Sequence, residues 1–193
     1  FSKKHYERMV SRLIFIGPRD AGKTTLAEFL ARGRYVHDIP STLGVEFFRV
    51  ETVGSRDIRI WDLSGDPRYS QLVSTYVSRT AHDAVCVFHR ACGADRDRAL
   101  AMLSDYRIAG GSAPAVCVVT GAPCLLCREC TPLDKDCGLP TLDLDVSRDS
   151  SSRADVLALL ADATGTEAKA TKATKATEAT EATNRGYQTD RCW

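Results

Sequence analysis

The stretch Gly17-Pro-Arg-Asp-Ala-Gly-Lys-Thr24 constrains the fold of this chain more than any other feature. It fits the pattern G-x-x-x-x-G-K-[ST], in which glycines let the backbone curl until its N–H groups converge on phosphate oxygens. It follows a short apolar run, Leu13-Ile-Phe-Ile, and precedes a segment carrying Leu26, Phe29 and Leu30 at helical spacing. That context predicts a buried strand, a tight loop, and a helix whose positive N-terminal end adds to the anion site. Gly17, Asp20, Ala21, Gly22, Lys23, Thr24 and Thr25 are therefore the expected phosphate cradle. Lys23 can reach the terminal phosphates of a nucleotide, and Thr24 can offer its hydroxyl to magnesium.

Short apolar runs alternate with helical segments along the chain, which predicts an α/β domain with a largely parallel sheet. Strands are expected at residues 13–16, 45–53, 57–63, 84–88, 115–119 and 142–146, with the second and third joined by a hairpin turn at Gly54-Ser55. Helices are expected at 25–31, 71–80, 95–108 and 154–160, the third stopped by Gly110-Gly111 and the last capped by Ser151 or Ser152. The expected order is β-α-β-β-α-β-α-β-α-β-α, a mostly parallel six-stranded sheet with one antiparallel pair and helices on both faces, as in the P-loop NTPase fold. Residues 169–183 repeat Lys/Glu-Ala-Thr every three positions without a large apolar side chain. A period of three suits neither a helix face nor a strand, so this stretch cannot build a core. The expected division is an extension at 1–11, one domain at 12–164 and a disordered tail at 165–193.

Asp62-Leu-Ser-Gly65 ends the apolar strand that includes Ile60 and Trp61. A carboxylate at that strand end can hold the hydration shell of magnesium, and Gly65 can bring its N–H to a γ-phosphate with no side chain in the way. Asp-x-x-Gly is weak alone and strong on the third strand after a phosphate loop. Together these residues resemble the small GTPases of the Ras superfamily, in particular Rab-like and Arf-like proteins, from Arg12 to about Leu160. Pro40-Ser-Thr-Leu-Gly-Val-Glu-Phe47 is similar to the Rab switch I segment, and Ile60-Trp-Asp-Leu-Ser-Gly-Asp-Pro-Arg-Tyr69 to switch II. Residues 17–30 and 61–66 are also similar to the Rab-like GTPase of intraflagellar transport. The resemblance implies GTP or GDP bound with magnesium, Thr24, Thr42 and Asp62 around the metal, and Thr42 and Gly65 on the γ-phosphate. It further implies effector or complex-subunit proteins that read loops 33–44 and 64–76.

The departures from that pattern are as informative. Asp66 stands where the family places the Gln that orients the attacking water, followed by Pro67 where Glu is usual. Arg19 occupies a loop position that is usually small, and it is the candidate to compensate in cis for Asp66. Asp66 and Arg19 are thus the candidate catalytic pair, with slow hydrolysis expected. The guanine-reading Asn-Lys-x-Asp is replaced by Gly121-Ala-Pro-Cys124, which supplies no carboxylate to accept from the base. Guanine is then expected to be preferred over adenine by a reduced margin. The last family motif falls on Ser147-Arg-Asp149, with Ser147 as the base-side contact, or on Asp145 if the alignment slips by two.

The formal net charge of +1 gives no electrostatic footprint for nucleic acid or an acidic membrane. No apolar run approaches the ~18 residues of a membrane span. The polar N-terminus at Phe1 shows no signal peptide and no start residue, so truncation or processing is expected there, and the expected location is cytoplasmic or peripheral to a membrane or transport complex. Of eight cysteines, Cys86, Cys92 and Cys117 read as small core residues. Cys124, Cys127, Cys130 and Cys137 have the spacing of a zinc or iron–sulfur site, yet no second well-separated pair, and reduced thiols are the expectation. His5, His37, His82 and His89 show no ligand spacing and read as solvated or capping. Cys192 is penultimate, so a C-a-a-X prenyl anchor is not expected. Two other functions fit a phosphate loop. One is a non-catalytic interaction module in a larger complex, favoured by Asp66 and residues 121–124. The other is a small-molecule kinase, which needs an arginine-bearing lid that is not evident.

Overall fold

The computed structural model describes residues 9–36, 38–52, 56–120, 138–144 and 153–163. Six strands and four helices alternate as β1 (Met9–Ile16), α1 (Lys23–Arg32), β2 (Val45–Glu51), β3 (Arg56–Leu63), α2 (Gln71–Arg79), β4 (Ala84–Arg90), α3 (Gly93–Ile108), β5 (Ala115–Thr120), β6 (Thr141–Leu144) and α4 (Arg153–Ala163). The sheet order is β2-β3-β1-β4-β5-β6, with β2 antiparallel to β3 and the other pairs parallel. This is the α/β P-loop fold expected from the sequence. The Gly54-Ser55 turn, the helix expected between β5 and β6, the Ser151/Ser152 cap, the four-cysteine cluster and the tail lie outside the described residues.

Side chains alternate across the sheet, so each strand feeds two cores. Leu13, Phe15, Cys86 and Phe88 point to one face and meet Leu26, Phe29 and Leu30 of α1 and Val156 and Leu160 of α4. Ile14, Ile16, Val85 and Val87 point to the other and meet Val73 of α2 and Ala99 and Tyr106 of α3. Burial on both faces explains why β1 and β4 read as continuous apolar runs rather than alternating ones. β1 begins at Met9, ahead of the apolar run, because Met9, Val10, Ser11 and Arg12 pair with Arg56, Asp57, Ile58 and Arg59 of β3. Sequence patterning misses that half, where Ser11 and Arg12 interrupt the apolar run. Cys86, Cys92 and Cys117 are buried, as expected of small core residues. Among the described residues no helix is long and apolar enough to cross a membrane.

Two histidines correct the sequence reading. His89 is neither solvated nor capping but buried at 3 % exposure. Its Nδ1 donates to Arg90 O at 2.6 Å, which leaves Nε2 as the acceptor facing Cys117 Sγ at 3.1 Å. A buried polar ring is tolerated here because both nitrogens are satisfied. His82 packs edge-on against Trp61, with ring centroids 5.5 Å apart, and its Nε2 is buried without a partner. Burial, then the Arg12 guanidinium, lower its pKa from 6.5 to about 4, against Asp83, which pulls upward. The folded state therefore favours neutral His82. Its contribution is complete above pH 6.5 and is lost as pH falls towards 4, where the unfolded chain binds the extra proton. We expect a screened loss of about 1 kcal/mol over that window. Urea melts of His82→Phe between pH 7 and pH 4 should be flatter than those of the wild type.

Candidate functional site

The C-terminal ends of β1, β3 and β5 meet where the strand order turns back on either side of β1, the usual place for a ligand in an open α/β sheet. β1 delivers Gly17 at its end. The backbone there has φ +146, and a Cβ on Gly17 would stand 2.1 Å from the carbonyl oxygen of Phe88. The loop therefore lies directly on β4, an approach only glycine permits. Asp20 adopts φ +61, a left-handed conformation that Asp tolerates better than most residues. α1 then starts at Lys23, so its unpaired N–H groups face the loop.

Lys23 is 5 % exposed. Its Nζ donates to Gly17 O at 2.9 Å and Pro18 O at 2.8 Å, spanning the loop from inside. Burial lowers its pKa to about 8, although Asp62 and Asp20 pull it up. Thr24 Oγ1 donates to Asp62 Oδ2 at 2.6 Å and lies 2.8 Å from Thr42 Oγ1. Thr42 Oγ1 is in turn 3.2 Å from the same carboxylate oxygen. Asp62 is fully buried and its Oδ1 has no hydrogen-bond partner. Burial raises its pKa to about 6, against the two threonine hydrogen bonds and Lys23. A buried carboxylate with an unpaired oxygen beside two hydroxyls is a hard-oxygen donor set, which suits a small divalent cation that keeps most of its waters.

The segment after β3 closes the site from the other side. A Cβ on Gly65 would stand 2.3 Å from Arg19 N and Pro18 C, so Gly65 is pressed onto the phosphate loop itself. Gly44 O accepts from Ser64 N at 2.8 Å, joining the segment before β2 to the segment after β3. Asp66 caps a short 3-10 turn, Pro67–Tyr69, by accepting from Arg68 N at 3.0 Å. Its carboxylate also takes the Arg68 guanidinium at 2.6 Å, and these bonds hold its pKa down near 2. Asp followed by Pro was a legible signal for that turn.

A cavity of about 210 Å³ joins these parts, lined by residues 19–25, 39–43, 64–66, 68 and 69. Asp20, Ala21, Gly22, Lys23, Thr24, Thr25, Thr42 and Gly65, all expected from sequence, line it together. Gly17 and Asp62 are tied to that lining, through Lys23 Nζ and Thr24 Oγ1 respectively. Arg19 lines the cavity with its side chain 59 % exposed and its Nε 3.8 Å from Asp20 Oδ1. Asp66 lines it too, with its carboxylate engaged by Arg68 as described. Ser147 and residues 121–124 lie outside the described residues. Sequence reasoning missed Thr120, whose hydroxyl donates to Ala21 O at 2.5 Å. A Thr at a strand end has no motif of its own, and only its register beside the loop could have singled it out.

The family described as "Ras of Complex, Roc, domain of DAPkinase" matches residues 12–122, more than half of the chain. The chain is 41 % identical over 64 residues to ADP-ribosylation factor-like protein 8b of Arabidopsis thaliana, covering 33 % of this chain and 34 % of that protein. It is 34 % identical over 89 residues to Ras-related protein Rab-1 of Theileria annulata, covering 44 % and 39 %. It is 37 % identical over 82 residues to Ras-related protein Rab-25 of Homo sapiens, covering 41 % and 38 %. These alignments span well under half the length of each relative.

Proposed function

Because this chain belongs to the Ras superfamily, as a Roc-family domain with Rab- and Arf-like relatives, we propose that it binds GTP and GDP with magnesium and acts as a switch or regulatory subunit. The observation that carries this reading is the convergence of Thr24, Thr42 and Asp62 beside the buried Lys23. Thr24 and Thr42 would hold magnesium through their hydroxyls, and Asp62 through its hydration shell. Magnesium, when bound, neutralises phosphate charge. Lys23, held by the two loop carbonyls, would offer its remaining N–H to the terminal phosphates, and the N–H groups of residues 20–25 would supply the rest of the cradle. Thr42 and Gly65 tie segments 33–44 and 64–76 to the γ-phosphate end, which is how such loops order and release. The domain is taken as 12–164, flanked by 1–11 and 165–193.

Effector or complex-subunit proteins would read the same two segments. Leu43 at 78 % and Phe47 at 51 % exposure support this, since they put apolar surface beside the switch, with Phe47 edge-on to Trp61 at 5.3 Å. A cytoplasmic site, peripheral to a vesicle or intraflagellar-transport assembly, fits such a role. Chromatography of nucleotide released from the denatured, freshly purified protein tests the main reading. Stoichiometric GDP or GTP is expected, and empty protein that also fails to take up labelled GDP overturns it.

The second reading is a non-catalytic interaction module, favoured by the Asp66–Arg68 pair, which engages the carboxylate standing where water would be oriented. Hydrolysis is accordingly slow, and Arg19 at the cavity mouth is the group that can offset transition-state charge. Asp66→Gln should leave single-turnover hydrolysis flat or faster. A roughly hundredfold fall, the size expected on losing an acid–base group, would make Asp66 itself catalytic. Partner binding that ignores whether GDP or GTP is loaded favours the module.

A further inference from the structure

Five charged side chains line the cavity: Arg19, Asp20, Lys23, Asp66 and Arg68. An anion site gains from cations in its wall, whereas a carboxylate there repels the ligand. Asp20 stands 3.8 Å from Arg19, and both side chains are more than half exposed, so water screens that charge. Asp66 differs. Its side chain is only 16 % exposed, and it follows Gly65, the residue pressed onto the phosphate loop. Its backbone N–H donates at 3.3 Å to the hydroxyl of the buried Ser64. Arg19 of the phosphate loop attracts the same carboxylate. A fixed negative charge therefore stands beside Gly65 in the wall of the site.

One side chain grips that charge directly. Arg68 places Nε 3.1 Å from both Asp66 oxygens and Nη2 2.6 Å from Oδ2. The backbone N–H of Arg68 adds a bond to Oδ1 at 3.0 Å, which caps the 3-10 turn. The guanidinium itself is largely exposed, with the Tyr69 ring centroid 5.8 Å away. A guanidinium carries five N–H donors in a fixed fork, and the Asp66 contacts use those of Nε and Nη2, which leaves the Nη1 pair for a second acceptor.

We propose that Arg68 is a specificity-determining residue for a nucleoside triphosphate over a diphosphate, cancelling the Asp66 charge and sharing its guanidinium with the third phosphate. The proposal rests on the guanine-nucleotide reading above. Without Arg68, the third phosphate meets Asp66 as a like charge. Without the Asp66 charge, Arg68 serves the phosphate alone. The two residues therefore act in opposite directions, and each acts through the other.

The test is a ratio of equilibrium affinities in magnesium, that for a GTP analogue with an imido bridge between its β- and γ-phosphates over that for GDP. It is read on the full chain and on Asp66→Asn, Arg68→Gln and the double variant. Asparagine keeps the cap acceptor of the 3-10 turn and removes only the charge. Arg68→Gln is expected to lower the ratio about tenfold and Asp66→Asn to raise it about fivefold, the size of one charge pair near a protein surface. The double variant is expected within about threefold of wild type, since neither charge is left. Wild-type ratios in both single variants overturn the proposal. So does a double variant as low as Arg68→Gln, because the arginine is then a prop of the turn and not the counter-charge of Asp66. Wild type that binds neither nucleotide overturns the guanine-nucleotide reading, and this proposal with it. Wild type that binds both, with ratios the variants do not move, overturns this proposal alone.

Discussion

Lys23→Ala should lower the affinity for GDP by about a hundredfold or more, from the loss of two or more charge-assisted hydrogen bonds worth ~1.5–3 kcal/mol each. Fold stability should change far less. Lys23 is buried and its pKa is lowered to about 8 by that burial, so the native chain carries a cost that the alanine variant no longer carries. Its hydrogen bonds to Gly17 O and Pro18 O offset part of that cost, and both contributions vanish together. The residue is therefore poised for binding rather than for stability. Lys23→Arg should not rescue, since the planar guanidinium is larger than the ammonium and cannot act as a point charge at the same spot. Titration of labelled GDP in magnesium against all three proteins decides the matter. An affinity for the alanine variant within a factor of two or three of wild type would remove the phosphate-loop assignment.

That poise is visible across the site. Asp62 is a buried carboxylate whose pKa rises to about 6, and Lys23 is a buried ammonium whose pKa falls to about 8. Each is held short of full electrostatic satisfaction. Buried charge of this kind is costly and clusters where a ligand completes it. By contrast, Asp66 is paired with Arg68, and its pKa is held down near 2 rather than raised.

The parts legible in the sequence are those where one backbone requirement dictates one residue type. Gly17 and Gly65 are such positions, as are the two-faced burial of β1 and β4 and the strand end that carries Asp62. The less legible parts depend on pairs distant in sequence. Thr120 matters only because β5 ends beside Ala21, a contact between residues 99 positions apart. Arg153 opens α4 and donates to Leu30 O at 2.6 Å and Glu51 O at 2.9 Å, bridging α1 to the end of β2. No local pattern announces either. The burial of His89 is equally silent in the sequence, since the two groups that satisfy its ring belong to no local pattern and β4 continues to Arg90.

Gly17→Ala should be the most disruptive single methyl in the described part of the chain. Two costs coincide there. The backbone at φ +146 is one that residues with a Cβ rarely adopt, and the added carbon would fall 2.1 Å from Phe88 O and 3.0 Å from Phe88 C. Neither side can yield cheaply. Phe88 is fully buried, packs tilted against Phe15 with centroids 4.7 Å apart, and lies in a strand paired on both sides. Gly17 is fixed at the end of β1, one residue past the pair Ile16–Val87. Strain and overpacking together should cost about 3 kcal/mol or more. For a domain of this size that lowers the thermal midpoint by roughly 6–12 °C. GDP binding should fall with it, because relief of the clash moves the loop off β4. Gly93→Ala is the matched control: it opens α3, and a Cβ there meets nothing within 4 Å. That variant should stay within about 2 °C of wild type and bind GDP normally. If Gly17→Ala melts as high as Gly93→Ala, the loop does not rest on β4, and the geometry assigned to the phosphate site fails at its base.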